Sequence, residues 1–375
     1  MNTQRISLTC APGGENHRGN QLIGVPPTKG SGLTYNDLNI LSDELKKKYG
    51  EKVELYDLNK LSNINTNLFK NLNDEHKANV LIIRDYAKQH TKTIFQECLS
   101  DEWDSKYLDP NKYRKEIING KEVKKRGKVL NKHARKNICY VKNLNQEPNY
   151  LEGKGRIVDL TTKSTLNSVV DNLIDELNTI LINSGSKSRV IINVVEGNHY
   201  YNLKKTGIGF HGDTERVVVI CLTIGGGGNY PMRWSWFING KPSGEPIDIG
   251  LNDGDLYIMS EKAVGSDWKK RIIYTLRHAA GCEKYTSMKK WGVKKSKPNG
   301  ETKSNAVNTH TCKTKIIVKE LTFKDTKIKV GVIVDEGTNI DNITYEMLGK
   351  KICEFEIHNI EHNGKQIKSG VYYLK

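Results

Sequence analysis

The chain has 375 residues, which is enough for two or three domains that each bury a core and excludes a single small module. Its net charge of +16 favours nucleic acid or another polyanion as partner, with a solvated lysine-rich surface as the alternative. The seven cysteines form no Cys-x-x-Cys pair, and no apolar run is long enough to cross a membrane. We therefore expect a soluble, intracellular protein of the cytoplasm or nucleus that has reduced thiols and no membrane partner.

The first 150 residues predict a mixed α/β region. Thr34 can cap a helix that carries leucines on one face and ends at Gly50. Short apolar runs at residues 53–55 and 79–83 are typical of strands. No motif in this region indicates a particular chemistry.

A basic segment follows at residues 111–137. Its Asn119-Gly120 pair favours a two-residue turn, so the segment predicts a hairpin. Its lysines and arginines could contact the phosphates of DNA or RNA, and a solvated loop is the alternative.

The clearest periodicity in the chain lies at residues 164–184, where apolar residues recur every three or four positions. It predicts one long amphipathic helix that packs against a large neighbour. Five short β-rich runs, separated by Gly, Asn and Pro, follow between residues 189 and 279. Together these elements indicate a β-sandwich or barrel with a helix against one sheet.

Composition divides the chain into four parts. The N-terminal α/β region with its basic segment covers residues 1–150, and the β-rich core with its long helix covers 151–292. A basic, polar stretch at 293–312 is typical of a linker. We expect a small αβ module at 313–375.

A candidate metal site lies in the β-rich core. His211 and Asp213 are two residues apart, so on an extended strand both side chains point to one face and can share one metal ion. His278 is the one further histidine between Asp213 and the linker. Two imidazoles and one carboxylate can hold Fe(II) on one face and leave positions open for other ligands.

These residues resemble the Fe(II)/2-oxoglutarate dioxygenases, specifically the AlkB-like branch as it appears in large DNA viruses, over roughly residues 193–287. The resemblance implies a virus-encoded oxidoreductase of the α+β class with a double-stranded β-helix, or jelly-roll, core. It implies that His211, Asp213 and His278 bind Fe(II) as cofactor, with 2-oxoglutarate and dioxygen as co-substrates. Such enzymes couple the decarboxylation of 2-oxoglutarate to the hydroxylation of a substrate C–H bond.

The resemblance also implies contacts to 2-oxoglutarate. Asn198-His-Tyr200 matches the Asn-x-Tyr element that touches the co-substrate in this family. Lys284-Tyr-Thr286 stands where the family has Arg-x-Ser, whose cation and hydroxyl hold the far carboxylate. In this alignment His278 is the distal iron ligand.

A second alignment remains open. In it, the segment from Arg271 to Arg277 resembles the paired-arginine strand of the AlkB-like enzymes, and both arginines become co-substrate contacts. The distal ligand would then lie near residues 265–267, where no histidine occurs. This alternative predicts a degenerate iron site.

The AlkB-like branch demethylates alkylated nucleobases, so the resemblance implies DNA or RNA as substrate. Trp234, Trp236 and Trp291 could stack on bases, and core packing is the alternative for them. Hydroxylation of a protein side chain is a second function of the same chemistry. A non-catalytic nucleic-acid-binding protein on a degenerate oxygenase fold is a third, and predicts salt-dependent binding without succinate release.

Overall fold

A computed structural model describes residues 4–16, 19–63, 76–226 and 230–291, together with six strands between residues 314 and 372. Contacts divide the chain into two compact units, residues 1–294 and 295–375. The boundary expected at residue 150 falls inside the first unit, because strands from both sides of it share one sheet. The unit boundary instead lies close to the start of the predicted linker.

The first unit combines sixteen described strands with six described helices. The helices are α1 (Tyr35–Tyr49), α2 (Leu58–Leu61), α3 (Thr91–Leu99), α4 (Ser164–Asn183), α5 (Glu261–Val264) and α6 (Glu283–Thr286). The strands of its first half are β1 (Arg5–Ala11), β2 (Gly13–Asn16), β3 (Gln21–Gly24), β4 (Val53–Asp57), β5 (Asn79–Ile83), β6 (Lys106–Ile118), β7 (Lys121–Asn131) and β8 (Lys136–Val141). Those of its second half are β9 (Ile157–Asp159), β10 (Val194–Tyr200), β11 (Gly207–His211), β12 (Val219–Gly225), β13 (Tyr230–Ile238), β14 (Lys241–Leu251), β15 (Leu256–Met259) and β16 (Thr275–Gly281).

Two sheets form the body of this unit. The larger has eight strands in the order β4-β5-β15-β12-β1-β10-β8-β9, and the smaller has four in the order β11-β16-β13-β14. All neighbouring strands in both sheets are antiparallel except β8 and β9. The protein is therefore a mixed α+β fold built mainly from antiparallel strands.

The N-terminal strand β1 lies in the middle of the larger sheet. It pairs with β10 on one side and β12 on the other, so that Ser7 lies beside both Asn198 and Thr223. The strands from β10 to β16 alternate between the two sheets along the chain, with only β13 and β14 adjacent in one sheet. Strands β10 and β12 do not pair with each other in the larger sheet. Strand β1 lies between them and pairs with both.

Apolar residues on the two faces of the larger sheet enter two different cores. On one face, Ile6 and Leu8 of β1 pack with residues of α1, α3 and α4. On the other face, residues of β12 and β15 pack against Trp234 and Trp236 of the smaller sheet. The result is three layers, helices, larger sheet and smaller sheet, with the smaller sheet opposite the middle of the larger.

Both predicted long helices are confirmed. At the start of α1 the Thr34 hydroxyl accepts a hydrogen bond from Asp37 N at 3.0 Å, and the Asp37 carboxylate accepts one from Thr34 N at 2.8 Å. These reciprocal bonds satisfy two amide groups that a helix start leaves without partners. The other predicted helix is α4, whose apolar face enters the core on the helical side of the sheet.

Strand β10 begins five residues later than the sequence pattern predicts. The predicted strand starts at Arg189, but the backbone of Val190 bonds to the side chain of Asn178 in α4, at 2.8 and 2.9 Å. Because helix α4 holds the segment in this way, pairing in the sheet starts only at Val194. The predicted hairpin in the basic segment is confirmed as β6 and β7, with positive φ at both Asn119 and Gly120.

The described residues of the second unit are all in strands. These are β17 (Thr314–Phe323), β18 (Thr326–Asp335), β19 (Phe355–Ile357), β20 (Ile360–His362), β21 (Lys365–Ile367) and β22 (Gly370–Tyr372). They pair as β17 with β18, β19 with β22 and β20 with β21, each antiparallel. The predicted linker at 293–312 and the helical part of the predicted αβ module lie outside the described residues.

The position of β1 predicts the cost of truncating its buried side chain. Leu8 is fully buried between the larger sheet and the helices, so Leu8→Ala should lower the free energy of unfolding by about 2–5 kcal/mol. Ile117, which is 80% exposed, is the control, and Ile117→Ala should change it by less than about 0.5 kcal/mol. Urea unfolding measures both. A cost below about 1 kcal/mol for Leu8→Ala would show that β1 does not lie in the core.

Candidate metal centre

Pairing of two strands brings the candidate metal ligands together. Strands β11 and β16 are antiparallel, and His211 lies directly opposite His278 in their register. Asp213 follows two residues after His211, and its backbone N–H donates to the carbonyl of Val264 at 3.2 Å. Residues 65 positions apart in sequence therefore become neighbours at one edge of the smaller sheet.

The ligand atoms of these three residues lie within 4.8 Å of one another. His211 Nε2 is 3.5 Å and His278 Nε2 is 4.0 Å from the same oxygen, Asp213 Oδ1. The two imidazole rings are 4.5 Å apart between centroids and inclined at 62°. Both Nε2 atoms thus converge on one carboxylate, which is the arrangement of a two-histidine, one-carboxylate metal site.

The second nitrogen of His211 fixes its tautomer. Nδ1 lies 2.8 Å from the carbonyl oxygen of Gly209 and 3.1 Å from that of His278. Because carbonyl oxygens only accept hydrogen bonds, Nδ1 must carry the proton, which leaves a lone pair on Nε2. Metal-binding histidines are commonly oriented by such a bond from their other nitrogen.

His278 is held in the neutral form that binds metal. Its burial, together with the nearby His211 and Arg216, lowers its pKa well below the usual value of 6.5. A neutral imidazole has a lone pair to donate to a metal ion. In the absence of metal, the neutral form also avoids placing a further positive charge in a buried site.

Gly212, between the two ligands on the same segment, has a steric role. A Cβ atom at this position would lie 2.1 Å from the carbonyl oxygen of Gly265 and 2.8 Å from the side chain of Trp268. Only glycine permits this close approach of two backbones. The turn that carries Asp213 can therefore pack directly against the loop at Gly265.

The candidate ligands open onto a cavity of about 410 Å³ between the two sheets. The smaller sheet and the following turn contribute His211, Asp213, Met232, Leu251, His278 and Ala280. The larger sheet contributes Arg5, Ser7, Thr9, Glu196, Asn198, Tyr200, Val219, Thr223, Tyr257 and Met259. One wall thus carries the candidate metal ligands, and the facing wall carries a row of polar side chains.

A buried polar network connects the two walls. Asn198 Oδ1 accepts hydrogen bonds from Arg135 Nε and, at 2.7 Å, from Asn137 Nδ2. Asn198 Nδ2 donates to Glu196 Oε1 at 3.3 Å, and the other oxygen of Glu196 pairs with Arg216. The network therefore fixes the side-chain orientation of Asn198.

Arg216 ends this network next to the candidate ligand Asp213. Its Nη2 is 2.8 Å from Glu215 Oε1, and its Nε is 3.9 Å from Asp213 Oδ2. Burial disfavours its charge, but the surrounding carboxylates outweigh burial and raise the pKa of Arg216 well above its usual value. Arg216 therefore stays cationic and orients Asp213 through one carboxylate oxygen, while the other faces the histidines.

The structure brings two of the predicted co-substrate residues to the cavity. Asn198 and Tyr200, of the Asn-x-Tyr element, both line it. Lys284, Thr286, Arg271 and Arg277 are not among the described residues that line it. Neither alignment of the downstream segment therefore supplies a cation beside the candidate metal ligands.

Each of these four residues has a different environment. Lys284 is exposed on α6, 5.4 Å above the ring of Tyr285, and the carbonyl of Thr286 accepts from Arg233 at 3.0 Å. Arg271 is exposed beside the turn between β13 and β14. Arg277 stacks on Phe237 at 4.1 Å, because alternation on β16 turns it away from the face that carries His278.

Four cationic side chains line the cavity, those of Arg5, Arg135, Arg216 and Lys269, and none of them was predicted from the sequence as a co-substrate contact. Arg5 is fully buried, and its Nη1 donates to the carbonyl of Leu251, across the cavity, at 2.9 Å. Ser7 lies on the same face of β1, and the two residues have the Arg-x-Ser spacing. The Arg-x-Ser pattern is present at residues 5–7, but it stands more than 260 residues before the segments from Arg271 to Thr286 where the family pattern places the anchor.

The three tryptophans have structural roles. Trp234 and Trp236 are fully buried in the core between the sheets, and Trp236 Nε1 donates to the carbonyl of Leu58 at 3.0 Å. Trp291 packs edge-on against Phe210 and Phe237, at 5.7 and 5.2 Å between centroids. Core packing, one of the two interpretations of the sequence, is confirmed for Trp234 and Trp236, and Trp291 is partly buried against residues of the smaller sheet.

Fold and site together define an α+β protein with a His-Asp-His group, of which Asp213 and His278 are buried, facing a polar cavity. No protein-family model matches the chain. It is 37% identical over 287 residues to the uncharacterized protein R156 of Acanthamoeba polyphaga mimivirus, a match that covers 75% of this chain and 97% of that protein. The chain therefore belongs to the family of this viral protein. Because R156 is itself uncharacterized, membership brings no activity with it.

The helices among the described residues are all too short or too polar to span a lipid bilayer.

The five described cysteines are all free thiols, as the sequence predicts, and Cys312 and Cys353 lie outside the described residues.

His199, on the face of β10 that points away from the cavity, gives a prediction about the pH dependence of stability. Burial, with a contribution from Lys136, lowers the pKa of His199 from 6.5 to about 4. Between these values the unfolded imidazole binds a proton that the folded one does not, so the free energy of unfolding should fall as the pH drops through this window. His199→Gln should make this fall shallower, which urea unfolding at pH 7 and pH 5 measures. Equal pH dependence in the variant and the wild type would contradict the assignment.

Proposed function

We propose that the protein is an Fe(II)- and 2-oxoglutarate-dependent dioxygenase. The observation that carries the proposal is the cavity itself: His211, Asp213 and His278 line one wall, and a buried arginine and serine line the facing wall. Fe(II) binding needs the first group, and a dicarboxylate co-substrate needs a cation at a distance from it. One cavity therefore offers three candidate metal ligands on one wall and, on the facing wall, the guanidinium and the hydroxyl of an Arg-x-Ser pair.

The arrangement of strands supports a double-stranded β-helix as the core. Strands β10, β1, β12 and β15 of the larger sheet face β11, β16, β13 and β14 of the smaller one, which gives eight antiparallel strands in two facing sheets. The chain alternates between the sheets, as it does in a jelly roll. Seven of these eight strands are consecutive in the chain, from β10 to β16. The eighth is β1, which lies between β10 and β12.

The residues fit an iron ion. Two imidazole nitrogens and one carboxylate oxygen converge within 4.8 Å, and His211 Nδ1 donates to backbone carbonyls, which leaves Nε2 for the metal. When bound, Fe(II) would supply the activation of dioxygen and the oxidative decarboxylation of 2-oxoglutarate. The chain itself orients the ligands: Arg216 holds Asp213, and the carbonyls of β11 and β16 hold His211.

Arg5 and Ser7 are proposed to bind the far carboxylate of 2-oxoglutarate. A guanidinium and a hydroxyl two positions apart on one strand face offer several donors to one carboxylate, the role that Arg-x-Ser has in the family. Arg5 is fully buried, so the bond would form away from competing water. Asn198 lies next to Ser7 in the sheet, is held by the polar network and lines the same cavity.

The iron ligands yield a spectroscopic prediction. Under anaerobic conditions the wild-type protein with Fe(II) and 2-oxoglutarate should show the weak visible charge-transfer band of the chelate. His278→Ala should lose the band and stoichiometric iron, because it removes one of three protein ligands. Ser266→Ala changes a residue of the segment where the second alignment places the distal ligand, and should retain both. Stoichiometric iron in His278→Ala, or no band in the wild type, would contradict the proposal.

The anchor yields a separate prediction for co-substrate affinity. Ser7→Ala should raise the Kd of 2-oxoglutarate about tenfold and Arg5→Met about 100-fold, since each charge-assisted hydrogen bond contributes about 1.5–3 kcal/mol. Both variants should still bind Fe(II), because neither residue is a metal ligand. Lys284→Met is the matched control for loss of a cation and should leave the affinity unchanged.

Titration of the Fe(II)-loaded protein with 2-oxoglutarate, monitored at the charge-transfer band, measures all three variants. Unfolding curves identify any loss of folding in Arg5→Met, and Ser7→Ala tests the site if Arg5→Met does not fold. Loss of affinity in Lys284→Met together with wild-type affinity in Ser7→Ala and Arg5→Met would place the anchor on α6.

The substrate belongs to the proposal as well, with nucleic acid as the class implied by the resemblance and a protein side chain as the alternative. The convergence of three candidate ligand atoms, with the Nδ1 of His211 bonded to backbone carbonyls, favours a metal-dependent enzyme over a non-catalytic binding protein. Release of succinate in proportion to 2-oxoglutarate consumed distinguishes either enzyme from a binding protein.

A further inference from the structure

The hairpin of β6 and β7 extends away from the body of the first unit. Its base is packed, with Asp109 and Gly127 buried, but no residue from 110 to 126 is buried. Within the described residues its sheet consists of these two strands alone. At about 3.4 Å per residue, the nine positions 110–118, none of them buried, give the ribbon a length of roughly 30 Å.

The ribbon is strongly basic, with nine lysines and arginines against three acidic residues between 106 and 131. Glu116 pairs with Arg114 at 2.6 Å and with Lys125 at 3.3 Å, and Glu122 pairs with Lys115 at 2.8 Å. Among the described residues, no carboxylate pairs with Lys124 or Arg126. The positive charge of these two side chains is therefore available to a partner.

One face of the ribbon collects these two cations. Directly paired residues share a face and alternate along each strand, so the register assigns six side chains to what we call the ribbon face. They are Tyr113, Lys115, Ile117, Glu122, Lys124 and Arg126. Lys124 lies 4.6 Å and Arg126 6.0 Å above the ring of Tyr113, which holds both cations on this face.

An apolar side chain lies at the tip of the same face. Ile117 is 80% exposed and stands two residues before the Asn119-Gly120 turn. Ile118 and Val123, on the opposite face near the tip, are 45% and 40% exposed. The ribbon face therefore ends in an exposed apolar side chain, that of Ile117.

We propose that the ribbon face binds duplex nucleic acid. Lys124 and Arg126 contact phosphates, and Ile117 enters a groove between them. A two-stranded ribbon has the width that the major groove admits, and apolar side chains inserted between base steps are a known means of gripping a duplex. Along the ribbon face, Arg126 and Lys124 lie nearer the base and Ile117 nearer the tip, so the cations can stay at the backbone while the apolar side chain reaches further in.

The composition of the ribbon favours a duplex over a single strand. Binding of single strands depends on open aromatic rings on which bases stack. The one aromatic ring on the ribbon face, that of Tyr113, is covered by Lys124 and Arg126. An acidic protein could also pair with these cations. Such a partner would not explain the exposed isoleucine that lies between the cations and the turn.

The base of the ribbon lies beside the mouth of the candidate active site. Asn20 Nδ2 donates to the carbonyl of Leu108 in β6 at 2.8 Å, and the adjacent Gly19 lines the cavity. Arg135, four residues after the end of β7, also lines it. A duplex on the ribbon face therefore lies next to the cavity. Binding by the ribbon does not depend on the proposed chemistry, so its test leaves out Fe(II) and 2-oxoglutarate.

The experiment is fluorescence anisotropy of a labelled 20-base-pair DNA with the full-length protein over a range of KCl concentrations. The double variant Lys124→Ala/Arg126→Ala should bind more weakly and lose about 2 from the slope of log K against log salt, since each phosphate contact contributes about 0.9. Ile117→Ser should weaken binding about fivefold with the slope unchanged, because it removes no charge. Lys46→Ala/Lys47→Ala, at the end of α1 on the helical side of the larger sheet, is the matched control and should keep wild-type affinity and slope.

Several results would overturn the inference. One is an unchanged slope in Lys124→Ala/Arg126→Ala, and another is an equal loss in the α1 control, which would show non-specific attraction to net charge. Tighter binding of the single strand than of the duplex would reassign the ribbon to single strands. Displacement of the duplex by polyglutamate at equal charge concentration would indicate an acidic protein partner instead.

Discussion

The structure depends on the pairing of the N-terminal strand in the middle of the larger sheet. Strand β1 satisfies the backbone groups of both β10 and β12, which would otherwise face each other across a gap. One face of β1 places Ile6 and Leu8 in the core beneath the helices, and the other places Arg5 and Ser7 in the cavity. A strand of seven residues thus closes the fold and supplies one wall of the candidate site.

The opposite wall follows from a second pairing, that of β11 with β16. The register of this pair shifts between Ile208 and His211, and beyond the shift His211 lies directly opposite His278, so both imidazoles reach one carboxylate. Burial keeps His278 neutral, and Arg216 compensates the negative charges that gather around Asp213. A divalent cation would add positive charge at the point where Asp213 and the two imidazoles meet, and this is the physical basis of the proposed metal site.

Local patterns were sufficient to predict part of this arrangement. The capped helix α1, the periodic helix α4 and the Asn-Gly hairpin depend on interactions between residues near in sequence, and each was found from the sequence. His211, Asp213 and His278 could be nominated because two of them share one strand and the third was the one histidine left downstream. Their proximity in space follows from the pairing of β11 with β16, which the sequence does not reveal.

The anchor could not be found in this way. The partners of β1 lie almost 190 residues or more further along the chain, and nothing within residues 5–11 shows that they reach the centre of the sheet. The family pattern also directed attention downstream, to Lys284 and Thr286, which lie outside the cavity lining. Trp234 and Trp236 illustrate the same limit, since alternation assigns them to one face of a strand but not to the core between two sheets.

The central claim is that one cavity holds a metal ion on His211, Asp213 and His278 and a dicarboxylate on Arg5 and Ser7. A crystal structure of the protein with Mn(II) in place of iron and with 2-oxoglutarate tests it most directly. We predict an anomalous peak between the three ligand atoms, and density from that peak to the guanidinium of Arg5. A metal peak elsewhere, or a 2-oxoglutarate carboxylate bound at Lys284 instead of Arg5, would contradict the account.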